Sequence, residues 1–185
     1  MRFSETEIDQ LWIIEPERFV DLRGSFARTF CKQEFYSQGL VTEFPQHSIS
    51  MSTMKHTLRG LHFQKAPHQE AKVVSCVRGA IWDVVVDLRT ESPTYLHWVA
   101  ALLTAENGKQ FYIPENCAHG FQSMTDDVAV SYLISAPYAP GSAHGMRYDD
   151  PAVGIEWPAI PSVISDRDLA WPAWQDAAAL PFAET

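Results

Sequence analysis

A chain of 185 residues and 20.9 kDa, 46% of it hydrophobic, can bury a substantial core and is short for two ordinary domains, so one domain over residues 1–185 is expected. The formal net charge of −9, a pI near 5.1 and the scattering of 14 Lys and Arg argue against nucleic acid as a partner, although a few converging arginines could still hold a small phosphorylated ligand. The acidic start has no apolar stretch to serve as a signal peptide and nothing reaches the length of a membrane span, so a cytoplasmic protein without a membrane partner is expected.

In chain order, residues 32–39 read as a short helix. Six β-like runs follow, at 57–63, 71–77, 80–88, 94–103, 109–113 and 128–134. Turn signals separate them: Arg78-Gly79, Glu91-Ser92-Pro93, Asn107-Gly108 and Asp126-Asp127. The proline-containing segment 136–161 reads as an ordered loop wrapping the body, and an acidic stretch near the C-terminus as a second short helix. Trp157, Trp171 and Trp174 suggest that the tail packs back. So much strand with so little helix predicts a mainly β sandwich or barrel. Cys31, Cys76 and Cys117, odd in number and far apart, read as reduced thiols acting as small buried apolar side chains.

Strand alternation places the first chemical candidates. Val128, Val130, Tyr132 and Ile134 share a face, which points the Tyr132 ring inward with its hydroxyl as the one polar tip. Lys72 shares a face with Val74 and Cys76, and a lysine there is costly unless something inside wants a cation. Arg59 and His62 have opposite parity, so both can line one cavity only if Gly60 carries a bulge or the strand twists there.

The run Arg59-Gly60-Leu61-His62-Phe63-Gln64, then Lys72-Val73-Val74, 83–89, Ser92-Pro93-Thr94, Ile113-Pro114 with Ala118-His119-Gly120-Phe121, Tyr132, Asp149-Asp150-Pro151 with 155–158, and Ser165-Asp166-Arg167-Asp168, resembles the dTDP-4-dehydrorhamnose 3,5-epimerase family over nearly the whole chain. The resemblance implies a cupin-like jelly-roll β-barrel with a few short helices. It also implies a homodimer sharing N-terminal strands, and an isomerase that uses neither metal nor organic cofactor. Its catalytic set falls on His62 as base, Asp168 as the paired carboxylate, Tyr132 as the acid on the opposite face of the sugar and Lys72 beside the ketone oxygen. Its binding groups fall on Arg23, Arg59 and His119, and Phe26, Arg28, Gln46, His47 and Arg167 are expected to bind substrate beside them.

The residue types suit that chemistry on their own terms. A C–H beside a ketone becomes removable when charge can spread to the carbonyl oxygen, so a site needs a base at carbon and a cation at oxygen. Taken singly, His62 also fits a structural histidine, Tyr132 a barrel aromatic, Asp168 a helix N-terminal carboxylate after Ser165, and Arg59 a surface cation. The other histidines, His47 apart, are expected to be structural or exposed.

Arg28, Gln46-His47-Ser48, Ala143 and Arg167 depart from the family pattern in segments that face the nucleotide. The expected substrate is therefore a nucleoside-diphosphate 4-keto-6-deoxyhexose, the dTDP sugar of the rhamnose route first, with a CDP- or GDP-linked sugar or a single-centre epimerase as alternatives. A metal-dependent cupin is disfavoured because His62 and His68 form no close histidine pair. A non-catalytic sugar-nucleotide binding protein is the remaining alternative.

Overall fold

The computed structural model describes residues 1–174, and the last eleven residues lie outside that range. Its strands are β1 (Arg2–Glu5), β2 (Trp12–Glu15), β3 (Arg18–Asp21), β4 (Gly24–Ala27), β5 (Gln46–Ser52), β6 (Leu58–Gln64), β7 (Lys72–Arg78), β8 (Ala80–Asp87), β9 (Trp98–Thr104), β10 (Gln110–Ile113), β11 (Cys117–Ser123), β12 (Val128–Ile134) and β13 (Ala143–Gly145). Two short helices, α1 (Lys32–Ser37) and α2 (Asp166–Leu169), complete the set. No helix among the described residues is long and apolar enough to cross a membrane.

The strands form a six-stranded sheet in the order β1-β2-β10-β7-β12-β5 and a five-stranded sheet in the order β13-β6-β11-β8-β9. The two face each other as the leaves of a jelly roll without closing into a barrel. Val74, Cys76, Val128 and Val130 from one leaf meet Ile81, Val85 and Phe121 from the other to form the central core. Each such side chain contributes about 1.5–3 kcal/mol by leaving water.

Both leaves are covered on their outer faces as well. Phe35 of α1 packs with Val73 and Tyr112 behind one, while Met146 and Trp174 pack with Leu61, Val84 and Val86 behind the other. Burial on two faces accounts for the unbroken Val84-Val85-Val86 run, where period-two alternation disappears. Trp174 donates its indole N–H to the Tyr95 hydroxyl at 2.9 Å, so the tail does return to the body. Cys76 and Cys117 are buried as expected; Cys31 is only half-buried, at the N-terminal cap of α1.

Two expectations change. The run at 94–103 becomes a strand only from Trp98, because Ser92 and Thr94 turn back and donate their hydroxyls to Asp87 Oδ2 at 2.6 and 2.7 Å. Seven strands, β1 to β5, β11 and β13, lie outside the six runs read from the residue pattern. β5 shows why: its polar Gln46, Ser48 and Ser50 line the interior, while Ile49 (65% exposed) and Met51 (58%) point outward, the reverse of the usual pattern.

Candidate functional site

A cavity of about 620 Å³ opens between the leaves. One wall is β6, and its geometry turns on Gly60. This residue has φ +119°, and a Cβ there would sit 2.6 Å from Gly120 Cα and 2.8 Å from the His119 carbonyl oxygen, so the strand can pass β11 only with glycine at this point. The β6–β11 register shifts there, with His119 opposite His62 but Phe121 opposite Arg59. That irregularity overcomes the parity conflict, and Arg59 and His62 both line the cavity.

His62 Nε2 lies 2.6 Å from Asp168 Oδ1. Asp168 sits in the first turn of α2, which Ser165 caps by accepting the Asp168 N–H at 3.1 Å, and its second oxygen accepts the Gly60 N–H at 3.2 Å. Asp168 is therefore a helix-start carboxylate and a histidine partner at once. Burial pushes its carboxyl up, but the hydrogen bond and charge of His62 and the Gly60 N–H outweigh that and hold it below the usual carboxylate range. The His62 side chain is 44% exposed, so the ring is reachable while its partner, at 6%, is not.

The opposite wall carries Lys72 on β7 and Tyr132 on β12. Burial pushes the Tyr132 phenol up, only partly offset by the Ser50 hydroxyl 3.3 Å away, so the ring keeps its proton throughout the neutral range. Lys72 is 8% exposed, and what wants its charge is Glu70, at 2.8 Å. His119 forms a second pair, its Nε2 2.8 Å from Asp83 Oδ1. Burial pushes the Asp83 carboxyl up against the pull of His119 and Lys72. A partly exposed imidazole on one leaf, with a neutral phenol and an enclosed ammonium on the other, can take a proton from carbon, hold an oxyanion and return a proton from the other side.

Of the expected site residues, His62, Asp168, Tyr132, Lys72, Gln46, Arg59, His119 and Arg167 line this one cavity. Arg59 is tied to β5, donating to Ser52 Oγ at 3.0 Å and to the Met51 carbonyl at 2.7 Å, while Arg167 stacks 5.6 Å over the Trp171 ring. The structure does not bring Arg23, Phe26, Arg28 or His47 to it. Arg23 and Phe26 lie on the β3–β4 hairpin, which pairs with neither leaf, and Arg23 folds back onto Asp21. Arg28 reaches Glu34 at 3.4 Å, and His47 alternates to the outer face of β5, between Gln46 and Ser48.

Sequence reasoning missed Glu70, Asp83 and His144. Glu70 stands two residues before Lys72, and Asp83 is a charge within a valine-rich strand, both readable signals. His144 lines the cavity from β13. Burial and Lys65 push its imidazole down, toward the neutral form. Among the described residues no three His, Cys, Asp or Glu side chains converge as an ion would require.

Residues 5–176 match the family model described as dTDP-4-dehydrorhamnose 3,5-epimerase. A curated protein of that description from Methanothermobacter thermautotrophicus is 43% identical over 173 residues, 92% of this chain and 92% of its own. Among solved structures, an epimerase of Mycobacterium tuberculosis superposes with a TM-score of 0.93 at 37% identity, covering 97% of this chain and 91% of the other. A dTDP-6-deoxy-D-glucose-3,5-epimerase from Legionella pneumophila, in complex with dTDP-4-keto-L-rhamnose, superposes with a TM-score of 0.91 at 36% identity, covering 100% and 99%.

Proposed function

The chain belongs to the dTDP-4-dehydrorhamnose 3,5-epimerase family, and from that membership we propose that its cavity epimerises a nucleoside-diphosphate 4-keto-6-deoxyhexose, the dTDP-linked sugar on the rhamnose route. One observation carries the reading: the His62–Asp168 pair and the Tyr132 phenol stand on opposite leaves of one cavity, as inversion of a carbon between them requires.

In this account His62 Nε2–H is donated to Asp168, which leaves the Nδ1 lone pair to take the proton from C3 or C5 of the sugar. The electron pair of the broken C–H bond moves into a C–C double bond, and the ketone π pair moves onto the C4 oxygen. Lys72 stabilises that enolate; at about 4 Å and an effective dielectric near 20 the attraction is roughly 4 kcal/mol, about a thousandfold in rate if confined to the transition state. Tyr132 then gives its proton to the opposite face of the same carbon. Asp168 holds the imidazolium until water in the open cavity resets both groups. The steps balance with side chains alone, without a metal or organic cofactor.

A homodimer in a cytoplasmic setting is part of the proposal. Phe19 (61% exposed), Leu22 and Phe26 stand out on the β3–β4 hairpin, and β5 is a sheet edge with Ile49 and Met51 outward. A second copy covering β5 with its hairpin would bring its own Arg23, Phe26 and Arg28 to the neighbouring cavity, which gives those residues a binding role their own chain does not.

Assaying dTDP-, CDP- and GDP-linked 4-keto sugars in D2O tests the function. The expected result is fastest deuterium entry at C3 and C5 of the dTDP sugar. No entry into any of the three would overturn it.

A further inference from the structure

Lys72 is held by more than its own strand. Glu70 Oε1 is 2.8 Å from its Nζ, and both side chains are only 10% exposed although both line the cavity. The other Glu70 oxygen accepts from Gln64 Nε2 at 3.0 Å, and Gln64 Oε1 accepts the Ala139 N–H at 2.7 Å. Gln64 Nε2 also lies 3.3 Å from the Pro137 carbonyl oxygen, so the amide is fixed at both ends. A continuous set of hydrogen bonds thus runs from the loop at the cavity mouth, next to Tyr138, through Gln64 and Glu70 to the lysine. The His62 carbonyl oxygen, 3.5 Å from Nζ, bounds the ammonium on another side.

Resting on the epimerase reading, we propose that Glu70 is a positioning residue for Lys72, the counterpart on this wall of what Asp168 is to His62, with Gln64 anchoring it to the mouth loop. An unpaired ammonium in so enclosed a place is costly. Glu70 supplies the compensating charge from the strand-entry side, leaving the cavity side of Nζ for the substrate oxygen. Because the contribution is made as charge appears on that oxygen, its loss falls on turnover more than on substrate binding.

The test is a double-mutant cycle on the full chain, read by solvent-deuterium entry into the dTDP-linked 4-keto sugar. Glu70→Gln is expected to lower kcat about tenfold with KM within about twofold, from a coupling of the usual size between contacting charges. Glu70→Asp recovers part of the loss. In a Lys72→Met background, Glu70→Gln then has no further effect. Equal and independent losses in the two backgrounds, or an unchanged kcat in folded Glu70→Gln, would overturn the proposal. If the unmutated chain itself shows no exchange, the epimerase reading has failed, which is distinguishable from failure of Glu70 alone.

Discussion

Replacing Asp168 by Asn changes one buried atom pair and should disable the base without unfolding the chain. Asp168 Oδ2 accepts the Gly60 N–H and Oδ1 faces His62 Nε2 at 2.6 Å. An asparagine here must keep its oxygen toward Gly60, because a buried N–H cannot go unpaired cheaply. That turns its NH2 toward His62, favouring the tautomer with hydrogen on Nδ1, which has no lone pair for the substrate. The electrostatic loss adds to this. About 4 kcal/mol between charges roughly 4 Å apart at an effective dielectric near 20 falls to ~2–3 kcal/mol once the open side of the ring is screened, on the order of a hundredfold in rate. The assay is deuterium wash-in at C3 and C5 followed by NMR, with thermal melting alongside. A folded Asp168→Asn variant exchanging within about threefold of the parent would show that Asp168 does not prime His62.

Tyr132→Phe keeps the packing of the ring and removes the acid, so epimerised product should fall about a hundredfold or more while nucleotide binding, measured by calorimetry, holds; unchanged turnover would remove Tyr132 from the mechanism. Gly60→Ala places a methyl against Gly120 Cα and the His119 carbonyl at positive φ, and urea unfolding should show a loss of roughly 3 kcal/mol or more. A cost below about 1 kcal/mol would mean that β6 and β11 are not so close. Asp87 is fully buried. Burial raises its carboxyl, but Arg89, Ser92 and Thr94 overcome that and hold it at about 2, against an ordinary 3.8. Between those values the unfolded chain binds the extra proton, so this stability is present above pH ~4 and is lost as pH falls toward 2. Acid titration of the melting temperature should show the loss, and Asp87→Asn should flatten it.

The strands legible in the sequence were those whose apolar residues face the core, such as β12, where Val128 and Val130 are fully buried. β5 was illegible because its apolar side faces outward, and β11 because a strand buried along its whole length, with Gly120 and His119 inside it, shows no alternation. At the site, His62, Lys72, Tyr132 and Asp168 were found through motif and parity, and the cavity gathers all four. Glu70 and Asp83 escaped because their importance is relational: a carboxylate matters there for the cation it touches. Arg23 and Phe26 do not line their own cavity for another reason. A hairpin unpaired with either leaf has its contacts decided by what covers it.

In the proposed mechanism the His62 imidazole removes hydrogen from carbon beside the C4 ketone. Incubating the parent and His62→Ala with the dTDP-linked 4-keto sugar in D2O and following both sugar carbons by NMR isolates that step. Deuterium is expected at C3 and C5 with the parent, and with the variant exchange should fall at least about a thousandfold, in the range set by general-base catalysis. Exchange at the parental rate in a folded His62→Ala protein would show that another group is the base.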